Sequence, residues 1–149
     1  MRDFRSDYRC SMPHRMSRNA DRLRQLFVDL ERLDFAAVAG HCTDDCSYED
    51  VPYAEATAVG REAIRAKLEL GLASLERLPT TIHELLEQGD TIMVERTEVW
   101  HHPTGERATL RVAAVFKFRD GLISLWRDYW DAPTLFRQQP ASWLPDIPR

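Results

Sequence analysis

The residues with the clearest chemical potential are titratable side chains that alternate with other polar or aromatic ones along three short segments. These segments are Tyr48–Asp50, Arg96–Glu98–Trp100 and Trp126–Asp128–Trp130. Alternate side chains of a β-strand point to the same face of its sheet, so each segment would present its chemical groups together. In the third segment this spacing places a carboxylate between two indoles. A carboxylate held against apolar surface resists ionisation, which makes Asp128 a candidate general acid or base.

Inward convergence of the three segments would produce one cavity with several acid–base groups. Burial of an arginine beside a glutamate requires that the two charges neutralise each other. The alternative is an exposed sheet face with surface ion pairs, but it would leave three tryptophans as an unusually large apolar patch. We therefore predict a shared cavity whose catalytic candidates are Asp128, Arg96, Glu98, Tyr48 and Asp50. The residues predicted to line its substrate pocket are Trp126, Trp100, Trp130 and Phe27.

The apolar pattern around these segments changes from a helical period to a period of two. Apolar residues three and four apart predict helices over 19–33, 35–41 and 61–76. Alternation predicts strands over 46–50, 80–88, 91–100, 107–118 and 122–130. Turn signals such as Asp120-Gly121 separate the later strands. Helices followed by antiparallel hairpins define an α+β fold, and a curved sheet wrapped against a long helix would leave a conical pocket.

The domain organisation follows from length and composition. At 149 residues the chain has a one-domain length with room for a substantial core. We predict a single domain over residues 17–137. Residues 1–16 carry several arginines without apolar periodicity and are expected to form a flexible arm. Residues 138–149, which contain three prolines, are expected to form a tail that covers the pocket mouth or a partner.

Composition argues against several classes of partner. The net charge of -4 and the pI near 5.7 give no electrostatic reason to expect nucleic acid or an anionic membrane. No apolar run approaches the roughly 20 residues of a membrane helix, and the N-terminus has no apolar segment. The three cysteines, Cys10, Cys42 and Cys46, are an odd number, which favours reduced thiols in a cytoplasm. Cys42, Cys46 and His41 lack a second ligand cluster, so no metal is expected.

The remaining candidates for chemistry are weaker. His101 and His102 fall at a predicted hairpin turn, where solvated side chains are the rule, and His83 is expected to be a surface or packed residue of a strand. No glycine-rich phosphate loop or nucleophile elbow is present, and no cofactor is expected.

Two motifs resemble a known superfamily. The segment Asp44–Asp50, followed by Gly60-Arg61-Glu62-Ala63-Ile64 and then the sheet, looks like the nuclear transport factor 2-like superfamily, which includes SnoaL-like polyketide cyclases and ketosteroid isomerases. The resemblance covers about residues 19–137. It implies a cone-shaped α+β barrel, in which a curved, mixed, mostly antiparallel sheet packs on three or four N-terminal helices around an internal pocket. It also implies a homodimer packed through the sheet.

Within the superfamily, the segments Glu95–Glu98 and Trp126–Asp131 are most similar to limonene-1,2-epoxide hydrolase. That resemblance implies a cofactor-independent enzyme that adds water to a small apolar epoxide, of terpenoid-like or aryl type, to give a diol. By position, Asp128 would be the base, Arg96 the bridge between two carboxyl groups, Tyr48 a holder of the water and Trp126 a cavity wall. Glu98 stands where the hydrolase has its aspartic acid, which keeps the chemistry but moves the proton by about one methylene.

Asp50 departs further from the hydrolase pattern, because it stands where that family has asparagine. A second carboxylate near Asp128 would repel it, so the pKa of one of the two should rise. In ketosteroid isomerases the corresponding aspartate is the proton-shuttling base, which keeps an isomerase, cyclase or dehydratase open as an alternative. Phe27 and Ala114 fall at the two positions of the isomerase oxyanion hole, and neither side chain donates a hydrogen bond. A non-catalytic module that binds a small hydrophobic molecule is the third interpretation.

Overall fold

The computed structural model describes residues 17–143, so the predicted arm, Cys10 and the last six residues of the predicted tail lie outside the described part. The α-helices of this part are α1 (Arg18–Glu31), α2 (Phe35–Gly40), α3 (Arg61–Leu72) and α4 (Ala132–Phe136), and a 3-10 helix covers Val51–Ala56. The strands are β1 (Cys42–Asp50), β2 (Ala58–Val59), β3 (Thr80–Gln88), β4 (Thr91–His101), β5 (Arg107–Arg119) and β6 (Leu122–Tyr129).

Local sequence explains where the two long helices begin. The side chain of Ser17 caps α1 by accepting a hydrogen bond from the Ala20 N–H. Gly60 precedes α3 with a positive φ of 89°, and a Cβ at this position would lie 3.1 Å from the Asp44 carbonyl oxygen. The Gly60 N–H also donates to the Cys46 carbonyl at 2.8 Å. Glycine therefore allows the chain to pass close to β1 before α3 begins.

The six strands form one sheet in the order β2-β1-β6-β5-β4-β3. All neighbours are antiparallel except β1 and β6, which run parallel. The sheet is curved but not closed, so β2 and β3 remain edge strands. This arrangement confirms the predicted α+β fold with a mixed, mostly antiparallel sheet, and the barrel implied by the resemblance is an open one.

One face of the sheet is buried against the helices. Along β4 the buried residues are Ile92, Val94, Arg96, Glu98 and Trp100, and β5 shows the same alternation from Ala108 to Phe118. On the helical side, α1 contributes Leu23, Leu26, Phe27 and Leu30, and α3 contributes Ile64, Leu68 and Leu72. The period-two pattern of the sequence thus marks the face that holds the charged residues of the site.

The structure differs from the predicted elements mainly where elements are short or irregular. The first strand begins at Cys42 instead of residue 46. The pairing of β1 with β6 shifts register between Cys42 and Ser47, so buried and exposed residues do not alternate regularly over this part of the strand. The 3-10 helix after Asp50 and the two-residue strand β2 carry no periodic signal. The third helix ends at Leu72, before the predicted residue 76.

Candidate active site

The residues of the candidate site converge on a cavity of about 440 Å³ between the concave face of the sheet and helices α1 and α3. The parallel pairing of β1 with β6 places Tyr48 opposite Trp126 and Asp50 opposite Asp128. All five predicted catalytic candidates line this cavity, and so do three of the four predicted wall residues, Trp126, Trp100 and Trp130. Three strands that are distant in sequence thus bring their polar side chains to one place.

Arg96 is the centre of the polar group in the cavity. Its Nη1 and Nη2 atoms donate to Oδ1 and Oδ2 of Asp128 at 3.1 and 2.8 Å, and its Nε donates to Oε1 of Glu98 at 2.8 Å. Arg96, Glu98 and Asp128 are only 2%, 5% and 3% exposed. One guanidinium therefore bridges two buried carboxyl groups, in a geometry that is bidentate on Asp128.

The position of Arg96 depends on the small residues of β5. This strand runs between β4 and β6, and it places Val112 opposite Arg96 and Ala114 opposite Asp128. Only short side chains therefore lie on β5 between the guanidinium and the carboxylate. Behind Arg96, the ring of Phe27 lies 5.1 Å from the guanidinium carbon, a cation–π contact.

Phe27 is accordingly not part of the cavity wall, and the prediction that it lines the substrate pocket is wrong. The apolar period of α1 correctly makes Phe27 a core residue. It packs edge-on against Phe116, with ring centroids 6.1 Å apart. The lining of the cavity does not include Phe27, since Arg96 covers its ring.

The tryptophans of the cavity act as hydrogen-bond donors as well as apolar walls. The indole N–H of Trp126 donates to Oδ1 of Asp128 at 2.8 Å, and that of Trp100 donates to Oε2 of Glu98 at 3.0 Å. In both cases donor and acceptor are two residues apart on one strand, as the i, i+2 spacing in the sequence indicates. Each bridged carboxyl group thus receives a neutral donor in addition to Arg96, which holds it in a fixed orientation.

Asp50 forms a second polar group that includes a residue absent from the sequence predictions. Its Oδ2 lies 2.9 Å from Nζ of Lys67, and its Oδ1 accepts from the indole N–H of Trp130 at 2.8 Å. Lys67 belongs to α3, where it lies three residues after Ile64 and one before Leu68, both buried. The position of Lys67 beside the apolar stripe of a helix is the feature of the sequence that could have indicated its place at the cavity.

The pKa of Asp50 is raised above its usual value. Burial is the main cause, followed by the negative charge of Asp128, while Lys67 and Trp130 act in the opposite direction. This agrees with the expectation that the pKa of one of the two neighbouring aspartates would rise. The pKa of Arg96 is also raised. Burial alone would lower it, but the negative charges of Asp128 and Glu98 have the larger combined effect.

Tyr48 lies between a cation and an indole. Its ring stacks on that of Trp126 with centroids 4.1 Å apart, and Nζ of Lys67 lies 4.3 Å from its centroid on the ring face. The hydroxyl donates to Oδ2 of Asp128 at 3.4 Å, a long hydrogen bond. Burial, and then the charges of Asp50 and Asp128, raise the pKa of Tyr48 well above its usual value. The phenol is therefore neutral and available as a donor beside Asp128.

Apart from Glu55, the rest of the cavity wall is apolar and aromatic, and it includes the segment that follows the predicted domain. Trp143 is buried, lies edge-on to Trp100 with centroids 5.6 Å apart, and donates its indole N–H to the Gly71 carbonyl at 3.1 Å. Phe136 of α4 lies between Trp143 and Trp130, at centroid distances of 6.0 and 6.4 Å. The chain after β6 thus folds back over α3 and supplies part of the cavity wall.

The other sequence candidates lie outside the cavity. His102 is buried, which contradicts the prediction of a solvated turn residue. The backbone N–H of His102 donates to the Glu106 carbonyl, and the backbone carbonyl of His102 accepts from the Gly105 N–H. These two hydrogen bonds make the turn compact at this point. His101 is the last residue of β4, and His83 is exposed and lies 2.8 Å from the Thr97 hydroxyl.

Cys42 and Cys46 are buried free thiols. Within residues 17–143 no group of three or more metal-binding side chains occurs. No helix of this part is long and apolar enough to cross a membrane.

A mainly apolar cavity with a few convergent polar side chains has the general form of a small-molecule site. The sequence profile of the SnoaL-like domain matches residues 23–126, and the chain belongs to that family. Among curated proteins, the epoxide hydrolase EphG of Mycobacterium tuberculosis is 31% identical over 109 residues, which cover 72% of this chain and 70% of that protein.

Solved structures support the same fold. An epoxide hydrolase of M. tuberculosis, described as similar to limonene-1,2-epoxide hydrolase, superimposes with a TM-score of 0.69 at 26% identity, over 87% of this chain and 97% of that one. A protein of Shewanella putrefaciens described as a SnoaL-like polyketide cyclase has a TM-score of 0.74 at 13% identity, over 83% and 96% of the two chains. TerC, crystallised with polyporic acid, has a TM-score of 0.72 at 20% identity, over 82% and 98%. The last two likenesses concern the fold alone.

Proposed function

We propose that this protein is an epoxide hydrolase that adds water to a small apolar epoxide by general acid–base catalysis, without a covalent intermediate. The observation that carries the proposal is the bridge from Arg96 to Asp128 and Glu98 inside a cavity with mainly apolar walls. The likeness in sequence and in structure to epoxide hydrolase of M. tuberculosis also supports it.

The charges of the bridge suit a reaction that needs an acid and a base at once. Arg96 neutralises one carboxylate, so the buried group carries no net charge when the second carboxyl keeps a proton. Asp128 receives four donors, from Arg96 twice, from Trp126 and from Tyr48, a set that suits the ionised form. Glu98 receives two donors, fewer than Asp128, so the proposal assigns the transferable proton to Glu98. In this proposal Asp128 is the base and Glu98 the acid.

The reaction follows from these roles. Asp128 removes a proton from a water molecule as the water oxygen forms a bond to one epoxide carbon. The carbon–oxygen bond of the ring breaks at that carbon, and Glu98 transfers its proton to the departing ring oxygen. Water is thereby added across the ring to give a diol, and the net change in the protein is one proton moved from Glu98 to Asp128. The proton returns between turnovers, and Arg96 keeps both carboxyl groups in place throughout.

The cavity walls define the expected substrate class. A volume of about 440 Å³ lies within the range of small-molecule sites. Leucines from α1, α3 and β5 supply aliphatic surface, and Trp130, Phe136 and Trp143 supply aromatic surface. We therefore expect a terpenoid-like or aryl epoxide whose apolar body fills the cavity while its ring oxygen approaches Glu98.

A second candidate function is an isomerase-type proton transfer, favoured by the raised pKa of Asp50 in an apolar cavity. Isomerisation through an enolate would also require donors for the developing oxyanion. Phe27 and Ala114, which stand where isomerases have such donors, are buried without side-chain donors. This makes epoxide hydrolysis the better supported function.

The deciding experiment is a parallel assay of two reactions with the same purified protein. Terpenoid-like and aryl epoxides are followed for diol formation, and a β,γ-unsaturated ketone is followed for conjugation. Hydrolysis of at least one epoxide and no isomerisation is the expected result. Isomerisation without diol formation would contradict the proposed epoxide hydrolase function and support the isomerase function.

A further inference from the structure

Lys67 is a charged residue of the cavity that the proposed reaction does not use. Its ammonium makes three contacts within the protein: Asp50 Oδ2 at 2.9 Å, the Ala56 carbonyl at 2.9 Å, and the ring face of Tyr48 at 4.3 Å from the centroid. Two of the three N–H bonds of the ammonium thus have oxygen acceptors within the protein, and the aromatic face of Tyr48 stabilises the charge by a cation–π contact. Lys67 is therefore committed to the protein rather than placed to bind a substrate.

We propose that Lys67 is a positioning residue that neutralises Asp50, so that the two side chains, the Asp50–Lys67 pair, act as one uncharged hydrogen-bond acceptor beside Asp128. The inference rests on the proposed function, because it assigns a role to Asp50 in the site of hydrolysis.

The environment of Asp50 explains why it needs a cation. The side chains of Lys67 and Asp50 are only 18% and 14% exposed, and Asp50 lies opposite Asp128 in the parallel pairing. The charged and titratable groups that line the cavity with it are Lys67 from α3, Tyr48 from β1, Asp128 from β6, Tyr53 and Glu55 from the 3-10 helix, and Arg96 and Glu98 from β4. Arg96 is already shared by two carboxyl groups, so Lys67 is the cation that balances Asp50.

The charge count shows what the loss of each partner would do. Without Lys67, an ionised Asp50 adds an uncompensated negative charge beside Asp128 and makes ionisation of Asp128 less favourable. Without the Asp50 charge, Lys67 is an unpaired cation in an apolar wall, and it weakens Asp128 as a base. Removal of both charges restores neutrality and, with asparagine at position 50, keeps a hydrogen-bond acceptor. The two single substitutions should therefore be harmful and the double substitution mild.

The effect of Lys67→Met should depend on pH in a defined direction. Burial, and then Asp128, raise the pKa of Asp50, and Lys67 is the first of the groups that lower it. Loss of Lys67 raises that pKa further, so Asp50 is neutral at low pH and becomes an uncompensated anion as pH rises. A folded-state pKa above the unfolded value gives stability that is present at low pH and is lost as pH rises through the folded pKa. Both activity and stability of Lys67→Met should therefore decline, relative to wild type, as pH rises through the raised pKa of Asp50.

The test compares wild type, Lys67→Met, Asp50→Asn and the double variant, with Arg65→Met as a matched control. Arg65→Met removes one positive charge from the same helix, but the partners of Arg65 are Glu62 and Glu69, and it does not line the cavity. The full chain of each variant is unfolded with urea at pH 5, 6, 7 and 8, and kcat is measured on an accepted epoxide over the same range.

We expect kcat of Lys67→Met at pH 8 to fall about 10- to 100-fold, as for loss of a group that orients a functional ligand. The deficit should shrink towards pH 5, and the double variant should return to within about threefold of wild type at every pH. Lys67→Arg, which keeps the cation, should retain the wild-type pH profile. A pH-independent deficit in Lys67→Met, or a double variant with the summed loss of both single variants, would overturn the proposal.

The urea series does not depend on any substrate and separates this inference from the proposed function. A pH-dependent loss of stability in Lys67→Met that disappears in the Asp50→Asn background supports the pair even if no epoxide is hydrolysed. The same loss in both backgrounds shows that Lys67 does not act through Asp50 and overturns the inference. If Lys67→Met is unfolded at pH 8, folding of the double variant at that pH supports the pair, and failure of both contradicts it.

Discussion

Asp50 and Asp128 face each other in register across β1 and β6, the parallel pair of the described sheet, and each aspartate has its own cation. Arg96 binds Asp128 from β4, and Lys67 binds Asp50 from α3. Two carboxylates that would repel each other are thus held side by side on neighbouring strands, with one cation from the sheet and the other from helix α3. In the proposed reaction this leaves Asp128 as the base and Asp50 as a neutralised neighbour.

The first prediction concerns Asp128. Asp128→Asn should lower kcat for epoxide hydrolysis by about 10²- to 10⁴-fold, because it removes the general base. The fold should persist, because Glu98 remains 2.8 Å from Arg96 and its ionisation would neutralise the guanidinium in the variant. Steady-state rates and far-ultraviolet circular dichroism check the two parts. Asp120→Asn is the control, an exposed turn residue whose φ of 53° asparagine tolerates. A near-wild-type rate in Asp128→Asn would remove Asp128 from the mechanism.

The second prediction concerns the stability of the buried bridge. Arg96→Ala leaves Asp128 and Glu98 as neighbouring carboxyl groups without a cation, so the free energy of unfolding at neutral pH should fall by about 3–5 kcal/mol. Urea titration measures it. The control is Arg111→Ala on β5, because the side chain of Arg111 is 74% exposed and lies 3.3 Å from Glu95. An exposed pair of this kind contributes about 0–1 kcal/mol. Equal stability of Arg96→Ala and Arg111→Ala would mean that the bridge does not stabilise the fold.

The sequence predicts the strand residues of the site because a period of two has only two faces. Tyr48, Asp50, Arg96, Glu98 and Asp128 share the buried face once the strands are placed correctly, and the tryptophans between them exclude an exposed face. The strand register, and the depth at which each side chain lies below the cavity surface, are harder to predict. The helical period places Phe27 in the core, but it cannot show that Arg96 lies between Phe27 and the cavity.

Lys67 illustrates the limit of pattern analysis for charged residues. A lysine at the edge of a helix stripe usually extends its charged end into water, so the sequence gives no reason to pair it with a strand residue. The partner is decided by the packing of α3 over β1, which brings positions 67 and 50 together. His102 is a similar case, since a compact turn buries a residue that turn statistics would expose.

The third prediction concerns the chain after β6 as a determinant of substrate binding. Trp143→Ala removes an aromatic wall of the cavity and its hydrogen bond to Gly71. KM for an aryl epoxide should rise about 2- to 10-fold, the equivalent of one aromatic contact, with a smaller change in kcat because Trp143 does not touch the bridge. Trp143→Phe keeps the ring and serves as the control. Equal loss in both variants would assign the effect to the indole N–H instead of the aromatic surface.

The last prediction concerns the origin of the oxygen in the diol. In the proposed reaction the water beside Asp128 attacks the epoxide directly, so its oxygen enters the product in the first turnover. An alternative in which Asp128 itself attacks would form an ester, whose hydrolysis transfers a carboxylate oxygen of the protein to the first diol. Arg96 holds both Asp128 oxygens, and the Trp126 indole also binds one of them, which favours a fixed base over a nucleophile that must reach carbon.

A single-turnover reaction in ¹⁸O-labelled water, with the protein in excess over the epoxide, distinguishes the two routes by mass spectrometry of the diol. Label in the first diol is expected. A reaction in unlabelled water after many turnovers in labelled water provides the matched control, because only an ester route would then carry label from the protein into the next diol. Unlabelled diol in the first turnover, with label appearing only in later ones, would establish a covalent intermediate and exclude direct attack by water.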